Sequence, residues 1–435
     1  MSWDRGEGVC EFTFEVPDYE FDEYEVTDPK RYLLSEEVPG VSNGEWTCAH
    51  PTVVGEDTCP FHTDPGKRPD GFNETQAFLD VVDEAAEIDD RQIRRRRLQF
   101  VAAEFSELDL RGEVVGGANN QYINLTESTI GSIDCVDAKL DQPIRFANTT
   151  IEGDSTFRDA VFEGNADFHC ARFEEEVSFR GAKFTNPVSF KLATFAAEVS
   201  FWYATFNHHG LFRLTTFQDT ANFEAVDFED YARFIRAKFC TDVTFELAEF
   251  RDDADFVEAE FRGEHSFSKA IVERTFDISN AYVHNSTRLD HITVEKIVLT
   301  PRNDPEMSQY VDLSESTIRR GELGQPKDGN VLYDLQDATL GPVVFTDPDG
   351  ELSIDRIRFL GTKYDGFEFE AGDLNPQSDD WQLHDVFDTS LLPDDCTPNP
   401  TTSDLRRTYL NAKNGADQTG NNAAAGTVQV NVDYA

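Results

Sequence analysis

Between positions 157 and 267 phenylalanine returns 21 times, at 157, 162, 168, 173, 179, 184, 190, 195, 201, 206, 212, 217, 223, 228, 234, 239, 245, 250, 256, 261 and 267. The gaps alternate five and six without exception. Two residues before most of them stands a small or β-branched residue, as in Ala160, Ala166, Ala171, Val177, Ala182 and Val188; His265 is the bulky exception. Burying one Phe stabilises a fold by about 1.5–3 kcal/mol, so the repeat decides what lies inside.

An 11-residue period suits a right-handed helical coil. Here it does not work, because gaps of five and six swing successive Phe residues by roughly 140° and 240° at about 100° per residue. One flat strand fails as well, since an odd gap flips the side chain to the other face. The pattern fits a chain that turns a corner between consecutive Phe residues. Each short segment then sends one Phe and one small residue inward. Four segments take 22 residues, and stacked coils would pair backbone to backbone about 4.8 Å apart.

The triplets Ala171-Arg172-Phe173, Val177-Ser178-Phe179, Ala182-Lys183-Phe184, Val188-Ser189-Phe190 and Ala193-Thr194-Phe195 resemble those of the pentapeptide-repeat family. The usual repeat has period five and often a central Leu. This chain resembles an 11-residue, Phe-rich variant of salt-adapted prokaryotic type. The resemblance implies an all-β fold, a right-handed quadrilateral β-helix, here with a small N-terminal zinc-knuckle-like module and short capping helices. It says little about function, because the repeated residues are the core.

The ladder begins before the Phe run, with Leu125, Ile130, Cys135, Leu140, Phe146 and Ile151 as rungs. It continues after it through Val272, Ile278, Val283, Leu289 and Val294. Rungs return at Leu313, Ile318 and Leu323, then at Leu335, Leu340, Phe345, Phe359, Tyr364 and Phe369. The Gly/Pro/Asp-rich stretches Gly324–Asn330 and Thr346–Gly350 read as protruding loops.

The chain of 435 residues carries a net charge of −46. Residues 157–267 hold 21 acidic and 11 basic side chains, a net −10, which leaves −36 on the other 324 positions. A protein imitating nucleic acid should concentrate charge on its solenoid. General acidity instead suits a cytoplasm of molar salt, where screening over roughly 3 Å removes self-repulsion. The seven Cys are an odd number with no secretory leader before them, which argues against a disulfide framework. No window of 18 apolar residues offers a membrane span.

Residues 1–72 form an acidic segment, rich in Pro and Gly, that struggles to build a core unaided. It carries Trp46-Thr47-Cys48-Ala49-His50 and Cys59-Pro60-Phe61-His62. Thiolates and imidazoles gathered where hydrophobic core is scarce suit a tetrahedral structural zinc. Cys48, Cys59 and His62 are three candidate ligands, and Cys10 and His50 contend for the fourth place. Salt-adapted members of the family are similar here, with an early Cys and then Cys and Cys-x-x-His elements ahead of the repeats.

Asn73 to Ile88 reads as a helix that Asn73 caps, with Phe78, Val81, Val82 and Ala85 on one face, packed over the first coil. The basic run at Arg91 and Arg94–Arg97 reads as compensation for the acidic N-terminal segment. Near the end, Ser403 is expected to cap a short helix that stops at Gly415.

The division expected is 1–72 for the zinc module, 73–104 for capping helix and basic linker, 105–372 for the β-helix and 373–435 for a C-terminal tail. No phosphate loop, nucleophile elbow or metalloprotease helix occurs, so no enzyme is expected. The expected function is a non-enzymatic cytoplasmic solenoid that binds a protein partner. It neither spans a membrane nor contacts nucleic acid directly. The resemblance supplies the alternative, a nucleic-acid-mimicking inhibitor of a DNA-binding enzyme such as gyrase.

Overall fold

The computed structural model describes residues 5–17, 38–68, 71–117, 121–300, 302, 308–325, 330–346, 356–366 and 400–420. The expected rung at Phe369, the centres of both expected loops and Cys396 lie outside them. The chain divides into two compact units, Met1–Ala221 and Asn222–Ala435.

In the first unit the Phe repeat becomes four columns of two-residue strands. One column holds Glu104–Phe105, Thr129–Ile130, Thr150–Ile151, Arg172–Phe173, Thr194–Phe195 and Thr216–Phe217, each parallel to the strand one coil on. The second runs from Leu108–Asp109 to Val199–Ser200, the third from Val114–Val115 to Thr205–Phe206. Ile123–Asn124 to Gly210–Leu211 make the fourth. The register pairs Phe162 with Phe184 and Phe184 with Phe206, so the 22-residue coil is realised. The early rungs Leu125, Ile130, Cys135, Leu140, Phe146 and Ile151 are all buried.

The Phe rings explain the strictness of the repeat. Rings 22 residues apart stack nearly parallel, Phe157 on Phe179 at 4.7 Å and Phe179 on Phe201 at 4.9 Å, close to the distance between strands. Rings 11 apart meet edge to face, as Phe168 with Phe179 at 5.8 Å and 82°. Both arrangements are favoured by the aromatic quadrupole. A one-residue slip would lose the two contacts together.

Alternate corners are built differently, which is why five alternates with six. After Phe157 the chain makes a β-turn closed by Ala160 N–H donating to Phe157 O at 3.2 Å. Its third residue, Asp159, has φ +57°. The same left-handed position recurs every 11 residues, at Asn148, Cys170, Leu192, Tyr203 and Leu214, with Gly181 the only glycine among them. The corner after Phe162 holds no such residue and spends one more residue instead.

Two helices precede the coils: α1 (Glu74–Ala86) and α2 (Arg91–Arg97). Asn73 caps α1, its side chain accepting from Gln76 N–H. Phe78 on the buried face of α1 meets Phe100 at 4.9 Å and Phe105 at 6.0 Å. The basic run is therefore helical. Arg94 caps the end of α1 by donating to Ile88 O, and Arg96 donates to Thr47 Oγ1 at 3.2 Å.

In the second unit the Phe stacking continues, Phe234 on Phe256 at 4.7 Å and Phe245 on Phe267 at 4.9 Å. Beyond Phe267 the rungs become aliphatic and two corners straighten into seven-residue strands, Ile271–Asp277 and Thr293–Leu299, paired in parallel across a bulge. Val272, Ile278, Val283, Leu289, Val294, Leu313, Ile318, Leu323, Leu335, Leu340, Phe359 and Tyr364 are buried; Phe345 is half-buried. His265 occupies a small-residue slot. Its ring lies 4.8 Å from Phe261, with Nδ1 3.2 Å from Gly263 O and Nε2 2.9 Å from Thr287 Oγ1.

The last helix, α3 (Thr402–Gln418), is capped by Thr401 rather than Ser403, so it begins two residues earlier than expected, and it runs past Gly415. Thr401 and Asp404 form a reciprocal capping box, which satisfies two backbone donors where Ser403 alone would satisfy one. Gly415 serves packing rather than termination: a Cβ there would stand 2.5 Å from Tyr364 Cβ, and the missing side chain lets α3 lie against the last coil. Arg407 pairs with Asp337 at 2.8 Å, and Thr408 Oγ1 accepts from Gly361 N–H. No helix among the described residues is long and apolar enough to cross a membrane.

Candidate metal centre

Five short strands of the first unit assemble the N-terminal module. They are β1 (Arg5–Val9), β2 (Thr13–Glu15), β3 (Val41–Ser42), β4 (Glu45–Thr47) and β5 (Pro51–Val53). β1 pairs antiparallel with β5, and β4 lies between β2 and β3. Cys10 follows β1, where its N–H donates to His50 O at 3.0 Å. Cys48 follows β4, and its N–H donates to Phe12 O. Cys59 and His62 share one turn, closed by His62 N–H on Cys59 O at 3.0 Å. Strand pairing thus brings Cys10 beside ligands 38 and more residues away in sequence.

The ligand atoms of Cys10, Cys48, Cys59 and His62 all lie within 4.8 Å of one another. Cys48 Sγ and Cys59 Sγ are 3.8 Å apart, Cys10 Sγ and His62 Nδ1 3.8 Å, and Cys59 Sγ and His62 Nδ1 3.1 Å. A tetrahedral ion with bonds of about 2.3 Å to sulfur holds its donors about 3.8 Å apart, so the set fits. Four protein donors close the tetrahedron and leave no open position, which suits a structural ion rather than a catalytic one. Among the described residues no second group of three or more His, Cys, Asp or Glu converges in this way.

The electrostatics also call for a cation. Hydrogen bonds from Cys48 and Cys59 hold the Cys10 thiol far below its ordinary range. Burial pushes Cys59 well up, and the hydrogen bond with Cys10 pushes Cys48 up to about 12. Three buried sulfurs thus support a single negative charge by themselves. A dication would let all three ionise.

His50 lies outside the four. Its Nε2 donates to Arg97 O at 2.8 Å, and its Nδ1 is 3.6 Å from Cys48 Sγ. Burial lowers it to about 3, so it is a neutral imidazole. The His50 backbone N–H donates to Cys48 Sγ at 3.4 Å, the contact a metal-bound thiolate accepts. His62 is oriented the same way: Nε2–H donates to Val101 O at 2.9 Å, leaving Nδ1 for the cluster. Phe12 stacks on the His62 ring at 4.0 Å and 5°. Neither carbonyl contact leaves a trace in the sequence, since any residue supplies a carbonyl.

Residues 171–214 match the family model for pentapeptide repeats (9 copies). They cover two of the stacked coils. No curated protein matches the chain.

Proposed function

We propose that this chain, a pentapeptide-repeat protein, is a non-enzymatic scaffold of the cytoplasm whose solenoid walls bind a protein partner, with a structural zinc in its N-terminal module. The observation that carries the reading is the division of labour in the repeat. Within the Phe run inward positions are Phe and, with few exceptions such as Thr215 and His265, small residues such as Ala and Val, while outward positions differ from coil to coil. A repeat of this kind positions side chains for recognition without moving. Two of the buried polar groups are engaged in structure: His265 on Thr287, Arg358 on Asp334 at 2.9 Å.

Outward basic residues support the scaffold over nucleic-acid mimicry. Arg145 pairs with Asp167 at 3.1 Å one coil on, Lys269 with Glu246 at 3.2 Å, and Arg251 lies within 3.6 Å of Asp227, Glu229, Glu249 and Glu273. These pairs interrupt any phosphate-like array of carboxylates. Zinc is the metal that three thiolates and one imidazole suit best. The proposed division is the zinc module at 1–72, capping helix and basic linker at 73–104, the β-helix at 105–372 and a tail at 373–435.

The test is capture of partners at molar salt with the full chain, beside a variant carrying Lys183→Glu and Arg172→Glu on exposed positions. A protein recovered by the first and lost with the second supports the scaffold. Inhibition of a DNA topoisomerase by the purified chain overturns it in favour of mimicry.

A further inference from the structure

We propose that the metal-bound module is a removable end cap, and that losing the metal opens the edge of the first coil to the same edge on a second copy of this chain. The inference rests on reading the Cys10, Cys48, Cys59 and His62 cluster as a metal site.

Within the solenoid each coil donates backbone N–H groups to the coil before it. Thr129 N–H reaches Ala103 O at 2.9 Å, and Gly131 N–H reaches Phe105 O at 2.8 Å. The first coil has no predecessor. Its equivalent donors go to the cap instead. Glu104 N–H donates to Phe61 O at 2.9 Å. Ser106 N–H donates to the Glu74 carboxylate at 2.6 Å, and Glu107 N–H to the same oxygen at 3.4 Å. Asp109 N–H donates to Thr75 Oγ1 at 2.9 Å. Arg68, ion-paired with Glu74, donates to Glu104 O at 2.6 Å. An edge left without such partners is a template for another strand.

The cap is tied to the metal cluster through one short segment. Phe61, which supplies the first acceptor, lies between the ligands Cys59 and His62. Its ring packs on Phe100 at 5.0 Å and Phe105 at 5.7 Å. The imidazoles of His62 and His50 hold Val101 O and Arg97 O just ahead of that edge. Removing the ion releases Cys59 and His62, and with them Phe61. Phe61 O then no longer holds Glu104 N–H, the Phe61 ring no longer covers Phe100 and Phe105, and the segment that carries Arg68 no longer braces Glu74 against the edge. A second copy presents the same donors, acceptors and apolar faces, which is the requirement of a two-fold contact. Glu104, Glu107 and Asp109 oppose it by charge, so the contact needs screening at about 1 M salt, where the range falls to roughly 3 Å.

The experiment compares the full chain as purified, the chain stripped by a chelator, and a metal-loaded double variant, Glu74→Ala with Thr75→Val, all at about 1 M salt. Zinc content, hydrogen exchange of amides 104–109 and mass by light scattering are measured on each. Stripping should release about one zinc, speed exchange of those amides by about a hundredfold and double the mass. The double variant should keep its zinc and show the same exchange and doubling, because it opens the edge without touching a ligand. Three results overturn the inference. In the first, zinc is lost while exchange or mass stays unchanged. In the second, all β signal collapses on stripping, because the cap is then not removable. In the third, the purified chain holds no zinc, and the metal reading falls with it.

Discussion

His62 Nε2 stands 2.9 Å from the carbonyl oxygen of Val101, so the ring that faces the sulfur cluster is held by the start of the solenoid. A ligand oriented in this way presents one nitrogen in one tautomer, as metal-bound histidines generally do. The purified protein should contain about one zinc per chain. Cys59→Ser and His62→Ala should each lose it, and Cys10→Ser should do the same. His50→Ala should keep the metal but lower stability by about 1–3 kcal/mol, because it leaves Arg97 O without its buried donor. Elemental analysis beside thermal melts checks this, and metal loss from His50→Ala with retention in Cys10→Ser would reverse the assignment.

Phe201 lies at the centre of a stack, 4.9 Å from Phe179 and edge to face with Phe190 and Phe212 at 5.5 Å. Phe201→Ala should cost about 3–5 kcal/mol through cavity and lost contacts. Lys183→Asp, on an exposed position of the same unit, should stay within about 0.5 kcal/mol. Denaturant titration of both variants measures the difference; equal losses would contradict the inward and outward assignment.

The column was legible in the sequence because each Phe is chosen by one constraint, burial. The corners were not. Asp159, Cys170, Leu192 and Tyr203 share a left-handed backbone without sharing any chemistry. Glycine would have marked the positions, and few of them carry it, Gly112, Gly181 and Gly361 among the described residues. Cys59 and His62 could be paired from spacing, since one turn holds both. Cys10 and His50 could not be separated, because the answer depends on how β1 pairs with β5 and on a carbonyl at Arg97. The end of α3 escaped for a related reason: Gly415 looks like a stop until Tyr364 is seen against it.

Leu247 has φ +60° and is 46 % exposed, so its side chain gains little where it strains the backbone. Leu247→Gly should stabilise the chain by about 0.5–1 kcal/mol, the relief of a left-handed residue less the added freedom of the unfolded chain. Leu247→Val should destabilise it, because a β-branched side chain tolerates this region least. Melting temperatures of the two variants should move in opposite directions; movement in the same direction would mean that the turn does not hold its left-handed residue in solution.

His265 is buried, which lowers it to about 4, and the neutral ring is the form that Gly263 O and Thr287 fit. The unfolded chain, with an ordinary value of about 6.5, binds the proton first. Stability from this residue is therefore complete above about pH 6.5 and is lost as pH falls toward about 4, by roughly 3 kcal/mol in all. His265→Gln, which keeps a polar contact with Thr287 and cannot titrate, should flatten that part of the stability curve. A wild-type curve no steeper than the variant between pH 6.5 and 4 would show that the ring is not shielded.

The two kinds of corner also set the quantum in which such a chain can grow or shrink. Excision of 22 residues, such as 158–179, removes one storey and returns every later side chain to the wall it left. Excision of 11 restores the same sequence of corners yet carries everything that follows to the opposite wall. A length that is not a multiple of 11 places a left-handed residue where the chain needs an extra one. A gene that gains or loses repeats therefore has two outcomes open to it, a taller staircase with the same doors or one whose doors open on the other side.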